Sequence, residues 1–208
     1  MTKRYSTGVT PLDRKLGGGI PPGTVLACFA RPASQGELFV RRLAAESETL
    51  YLSTERLASA VRSGFHGGSP GADDLAVVAL DGDAPLVDAI EHVERVPDRT
   101  VVVVDPVGPL ERTDPGQFRA FLRTLRSKLT STDGLGVLYG LKHDDEPAQR
   151  HRTEYAADLV FDLVTETDGD TVENYLHVPK FRGGRALTDG VRVELTDRID
   201  VDTSRDIA

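Results

Sequence analysis

The sequence predicts an α/β fold: a mostly parallel central sheet covered on both faces by helices and extended at its C-terminal edge by antiparallel hairpins. Three observations carry this. Over the first two thirds of the chain, short apolar runs alternate with helical patterns, as in a parallel sheet with crossover helices. One run, TVVVVD at 100–105, is almost pure valine, and β-branching pushes it towards a fully buried strand. In the last third, three strand-like runs follow one another with turn residues and no helix between them, as hairpins do.

Taken in order, residues 6–16 read as a short helix with Thr10 as N-cap and Pro11 at its first position. LGGGIPPG (16–23) gives a sharp reversal. Residues 24–30 form an apolar strand, and 35–46 a helix with Leu38, Phe39, Arg42 and Leu43 at helical spacing. A strand over 48–54, a short helix over 55–63 closed by Gly64, and a loop over 66–72 follow. Then come a strand over 74–81, a helix over 84–96 with Leu86, Ile90 and Val93 on one face, and the valine strand. The most periodic helix is 115–130, where Phe118, Phe121, Leu122, Leu125 and Leu129 share a stripe. A strand over 136–143, a helix over 147–157 and strands over 159–165, 175–181 and 191–196 complete the chain, with turns at 168–170 and 183–184. The polar tail 202–208 is expected to fray. The 208 residues read as one domain.

Bulk properties narrow the function. A net charge of −8 lacks the basic surface that a generic grip on nucleic acid needs, which argues against DNA binding. No apolar run approaches the roughly 18 residues of a membrane span, and the N-terminus has no signal-like core, so no membrane is expected and the location reads as cytoplasmic. The single Cys28, inside VLACF with no base nearby in sequence, reads as a buried structural thiol and suits a reducing compartment. The excess of Arg over Lys and of Asp over Glu would suit high salt or a GC-rich genome. His66, His92, His143, His151 and His177 show no zinc-ligand spacing. Parallel sheets take ligands at the carboxyl ends of their strands, here Ala30, Thr54–Glu55, Asp105 and Lys142–His143.

The string TGVTPLDRKLGGGIPPG (7–23), followed by a strand and a loop, resembles the opening of the RecA-like ATPases of the KaiC, RadA and archaeal Rad55-like group. The strand ending Ser53-Thr54-Glu55 is similar to that group's second strand with its terminal acid, TVVVVD to its Walker B strand, and HVPKFRGG (177–184) to its Lys-x-Arg motif. The resemblance spans nearly the whole chain. It implies a RecA-like three-layer P-loop fold with ATP and Mg²⁺ as ligands of the loop after the first strand.

In the group's G-x-x-x-x-G-K-[ST] loop, glycines let backbone N–H groups face phosphate, the lysine neutralises it and the hydroxyl holds Mg²⁺. Laid on that pattern, the loop here is Ala30 to Glu37: Ala30 and Gln35 replace the glycines, Gly36 the lysine and Glu37 the Ser/Thr. Glu37 would set a carboxylate against phosphate at the positive end of a helix, a repulsion of about 4 kcal/mol at about 4 Å and intermediate dielectric. No lysine lies between Lys15 and Lys128, so a shifted alignment restores nothing. The candidate nucleotide-binding residues are thus Arg31, Ser34, Gln35, Gly36, Glu37 and Asp105, read as vestigial.

Asp105 stands open between a water-mediated Mg²⁺ ligand, as the resemblance implies, and a strand-end residue capping the turn at Pro106. Glu55 matches one of the group's paired glutamates, and Arg56, at the other, cannot act as a base. Glu55 reads equally as a carboxylate at a helix start, so no catalytic residue is assigned. Lys180 and Arg182 are candidate inter-subunit residues by resemblance, or else a charged hairpin edge. The acidic run 144–146 would repel DNA phosphates, softened by Arg150 and Arg152. The expectation is a catalytically degenerate RecA/KaiC-like domain, a pseudoATPase with a regulatory or protein-interaction role and a protein partner or second copy; no cofactor is assigned. The alternatives are a divergent Mg-ATPase of the Rad55/KaiC group using Arg31, Asp105 and Glu55, in signalling or recombination, and an accessory protein contacting single-stranded DNA.

Overall fold

A computed structural model describes residues 3–45, 47–65, 74–196 and 199–201. The expected loop 66–72, with His66, and the tail 202–208 lie outside the described residues. The first half runs α1 (Thr10–Lys15), β1 (Thr24–Ala30), α2 (Glu37–Ala44), β2 (Thr49–Ser53), α3 (Ala58–Ser63), β3 (Leu75–Ala79), α4 (Pro85–Glu94) and β4 (Val101–Asp105). The second half runs α5 (Gly108–Glu111), α6 (Pro115–Ser131), β5 (Leu135–Leu141), α7 (Arg150–Ala156), β6 (Leu159–Asp168), β7 (Thr171–Phe181), β8 (Val191–Leu195) and β9 (Ile199–Val201).

One nine-stranded sheet runs in the order β3-β2-β4-β5-β1-β6-β7-β8-β9. Strands β3 to β6 along that order are parallel, and β7, β8 and β9 are antiparallel additions at one edge. This is the architecture the sequence predicts. Alternate residues of the central strands face different layers. Val101 and Val103 join α1, α2 and α3 in one core cluster, whereas Val102 and Val104 join α4 and α6 in the other. The whole predicted stripe of α6 is buried there, from Phe118 to Leu129.

Two local expectations need correction. Thr10 is the first residue of α1 and not its N-cap; Val9 holds that position with no side-chain cap. The hydroxyl function sits earlier: Asp13 accepts from the Thr7 N–H and from both the Ser6 and Thr7 hydroxyls, at 2.7–2.8 Å. The third helix starts at Ala58, so Glu55 lies in the preceding turn and not at a helix start. The reversal at 16–23 forms as expected. Gly17, Gly18 and Gly19 all take positive φ (73°, 101°, 104°), a region where only glycine is unstrained, and the turn returns Ile20 to pair with Tyr5. Helix α5 and strand β9 were not expected from the sequence.

Candidate functional site

Register brings Ala30 beside Leu141 and Ser53 beside Asp105, so the carboxyl ends of β1, β5, β2 and β4 share one edge of the sheet. The loop after β1 closes upon itself there. Ser34 Oγ donates to the Arg31 carbonyl at 2.6 Å and accepts from the Gly36 N–H at 3.3 Å. Arg31 and Gln35 point to solvent. Gly36 is buried and leaves no room for a side chain: a Cβ there would lie 2.4 Å from the Ala30 Cβ and 2.9 Å from the Tyr139 hydroxyl. Small residues at both positions let the loop pack directly on β1.

Behind the loop lies a chain of ion pairs. Arg56 Nη1 donates to Glu37 Oε2 at 2.9 Å, and Arg56 Nη2 donates to Asp105 Oδ2. The same Asp105 oxygen accepts the Tyr51 hydroxyl, and Arg41 completes the line on Glu37 Oε1 at 2.9 Å, one helical turn away. Arg56 is aimed inward by its turn. Ser53 Oγ accepts from the Arg56 N–H (3.1 Å) and donates to its carbonyl (2.7 Å), while Thr54 is tied to the strand β4 end through Asp105 and Pro106. Asp105 is nearly buried, with a side chain 5% exposed, whereas Glu37 is 31% and Arg56 36% exposed.

The electrostatics follow. Burial works against the Arg56 charge, but Asp105, Tyr51 and Glu37 more than offset it, so its pKa is raised and the guanidinium stays charged. Burial, and then the Asp105 carboxylate, push the Tyr51 phenol up, so it remains a proton donor. Cys28 lies wholly buried on β1, and desolvation lifts its thiol to about 12, which suits a structural residue and not a nucleophile.

Glu55 is exposed and lies apart from this network, on a cleft of ≈ 190 Å³ with Pro106, His143 and Arg150. Lys180 and Arg182 turn inward onto the end of α7. Lys180 Nζ donates to the carbonyls of Glu154 (2.6 Å) and Tyr155 (3.1 Å), and Arg182 Nη2 to that of Tyr155 (2.7 Å). Cations at a helix C-terminus satisfy its last carbonyls. Burial, and then the neighbouring Arg182, lower the Lys180 pKa. Lys180 pairs with Val160 across the β6–β7 ladder, and on the other side of β7 the β8 register covers only Asn174 to Leu176. Among the described residues, no group of three or more His, Cys, Asp or Glu converges to hold a metal. No described helix is long and apolar enough to cross a membrane.

The structure therefore joins Glu37 and Asp105 of the predicted set, and leaves Arg31, Gln35 and Glu55 outside the network. The residues that sequence reading missed are Arg56 as a bridge, Tyr51 and Arg41. Only the Glu37–Arg41 pair carried a local signal, its i,i+4 spacing.

In sequence and in fold the chain is similar to known proteins. The DNA repair protein RadA of Mycolicibacterium smegmatis is 28% identical over 137 residues, which is 63% of this chain and 28% of that protein. The chain thus spans under a third of that relative's length. The crystal structure of the KaiC-like protein PH0186 from Pyrococcus horikoshii OT3 superposes with a TM-score of 0.77 at 16% identity, covering 97% of this chain and 100% of that one. The fold is accordingly that of a RecA-superfamily, KaiC/RadA-like domain. Residues 4–208 match a single family throughout, and the chain belongs to that family, described as a family of unknown function (DUF7125).

Proposed function

We propose that this chain is a catalytically degenerate RecA/KaiC-like domain with a regulatory or protein-interaction role, which does not hydrolyse ATP. One observation carries the reading: the Arg56 guanidinium lies between the Glu37 and Asp105 carboxylates and is ion-paired to both, with Arg41 on the other oxygen of Glu37. A phosphate-binding loop and its Mg²⁺ would need a lysine and a hydroxyl at 36 and 37, and a free carboxylate at 105. In their place stand a glycine with no space for a side chain, a carboxylate, and an aspartate already engaged by Tyr51 and Arg56. On this reading the residues present do not fit a Mg-nucleotide, and the fold serves as a scaffold. The name of the RadA relative points to DNA repair, but the charge of −8 weighs against a direct grip on nucleic acid.

The test is calorimetric titration with Mg-ATP. The natural chain is expected to release no binding heat. A variant combining Ala30→Gly, Gln35→Gly, Gly36→Lys, Glu37→Thr and Arg56→Glu should gain affinity, and Ala30→Gly is required because of the 2.4 Å approach at Gly36. Micromolar binding by the natural chain would overturn the reading.

A further inference from the structure

A second cleft, ≈ 560 Å³ in volume, opens between α6, α7 and Arg182, and shares no lining residue with the network around Asp105. Its floor holds Leu122 and Ala156, and the Tyr155 ring beside them is 78% exposed. Five arginines line it, with no lysine and no carboxylate. Arg126 and Arg182 share the single carboxylate of Asp158, at 2.8 and 3.4 Å. Arg119 and Arg123 are exposed one helical turn apart and make no ion pair among the described residues. The Nε of Arg152 is buried without a partner.

Like charges at i,i+4 destabilise a helix, and this chain has 33 acidic residues from which to neutralise them. It does not do so here. A local conflict with no internal compensation marks a surface that meets something outside the chain.

We propose that this cleft docks an acidic segment of another protein, whose carboxylates meet Arg119, Arg123 and Arg152 while an apolar side chain enters beside Leu122 and Tyr155. The guanidinium fork matches carboxylate geometry in pairs, which an ammonium does not. The apolar floor takes a side chain and gives no return for a sugar–phosphate backbone. A nucleic acid strand carries charge at every nucleotide and would run on over a chain whose net charge is −8, whereas a peptide confines its carboxylates to the cleft. The proposal rests on the protein-interaction role inferred above for its purpose, but peptide binding and Mg-ATP binding read different sites, so each idea fails separately.

The experiment is fluorescence anisotropy with a labelled acidic dodecapeptide carrying one central leucine. Its controls are the same peptide with glycine at that position and an oligothymidylate of equal length. The natural chain should bind the leucine peptide in the micromolar range, more tightly than either control. R119E/R123E should bind about ten-fold more weakly. R14E/R185E, which makes the same change in net charge at exposed positions outside the cleft, should bind normally. Circular dichroism of both variants checks that they fold. Unchanged binding by R119E/R123E overturns the proposal, as does tighter binding of the oligonucleotide. So does sedimentation in which R119E/R123E alone dissociates an oligomer, since the occupant would then be a second copy.

Discussion

Arg56 sits between two carboxylates of unequal burial, and that inequality sets what its removal does. Breaking a buried ion pair costs about 3–5 kcal/mol, because a charge is left unpaired, whereas exposed pairs contribute about 0–1 kcal/mol. The Asp105 side chain is 5% exposed, but the Arg56 side chain is itself 36% exposed, so solvent screens part of the interaction. Arg56→Ala should therefore destabilise by about 2 kcal/mol, lowering the melting midpoint by about 4–8 °C in a chain of this size. Glu37→Gln should cost under about 1 kcal/mol. Thermal denaturation of both variants checks the order, and a larger effect at Glu37 would mean that Asp105 is not the anchor. Cys28 gives a second expectation. Its folded pKa is raised to about 12 from an ordinary 9.0, so its contribution is complete below pH 9 and is lost as pH rises towards 12. At neutral pH a thiol reagent should modify Cys28 only as fast as the chain unfolds.

At the scale of elements, the contact between the loop and β1 is the tightest constraint. Gly36→Ala forces a Cβ to within 2.4 Å of the Ala30 Cβ, and overpacking of this kind costs about 1–3 kcal/mol. Ala30→Gly should recover most of that loss, and a double-mutant cycle by urea denaturation measures the coupling; additive effects would mean that the two positions do not meet. A second joint ties α5 to α7. Glu111, wholly buried, accepts from Arg150 Nε at 3.0 Å and from the Thr153 hydroxyl at 2.5 Å. Arg150→Met should cost about 3–5 kcal/mol, and Arg150→Met with Glu111→Leu markedly less, because no charge is then stranded. These elements also show what the sequence reveals. The strands and the α6 stripe are legible because burial imposes a period on each. Helix α5 is four residues, GPLE, too short to carry one. The start of α3 is misplaced because the Ser53 side chain holds residues 53–56 in a turn, a choice made by one hydroxyl. The Arg56 bridge is illegible for another reason: its partners lie 19 and 49 residues away, and only the sheet brings them together.

The whole molecule gives the sharpest consequence of an internal cation. The sheet edge gathers carboxylates at the ends of β4 and α2, and such a site is destabilised unless a positive charge occupies it. A domain that relies on Mg-nucleotide for that charge gains stability on binding it. Here Arg56, together with Arg41 on Glu37, supplies the charge, so folding should not respond to the ligand. Binding to the native state stabilises by RT ln(1 + [L]/Kd), about 2.7 kcal/mol at a hundred-fold excess over Kd. For a chain of this size that is a rise of roughly 5–10 °C in melting midpoint. Saturating Mg-ATP should instead move the midpoint of the natural chain by under about 1 °C. Arg56→Ala, which leaves Glu37 only its Arg41 partner and Asp105 only the Tyr51 hydroxyl, should become sensitive to Mg²⁺ alone, because a divalent cation can then take the vacated place between Glu37 and Asp105. A rise of several degrees with Mg-ATP in the natural chain, abolished by Asp105→Asn, would show that the nucleotide displaces the Arg56 bridge and would return this edge of the sheet to the working ATPases.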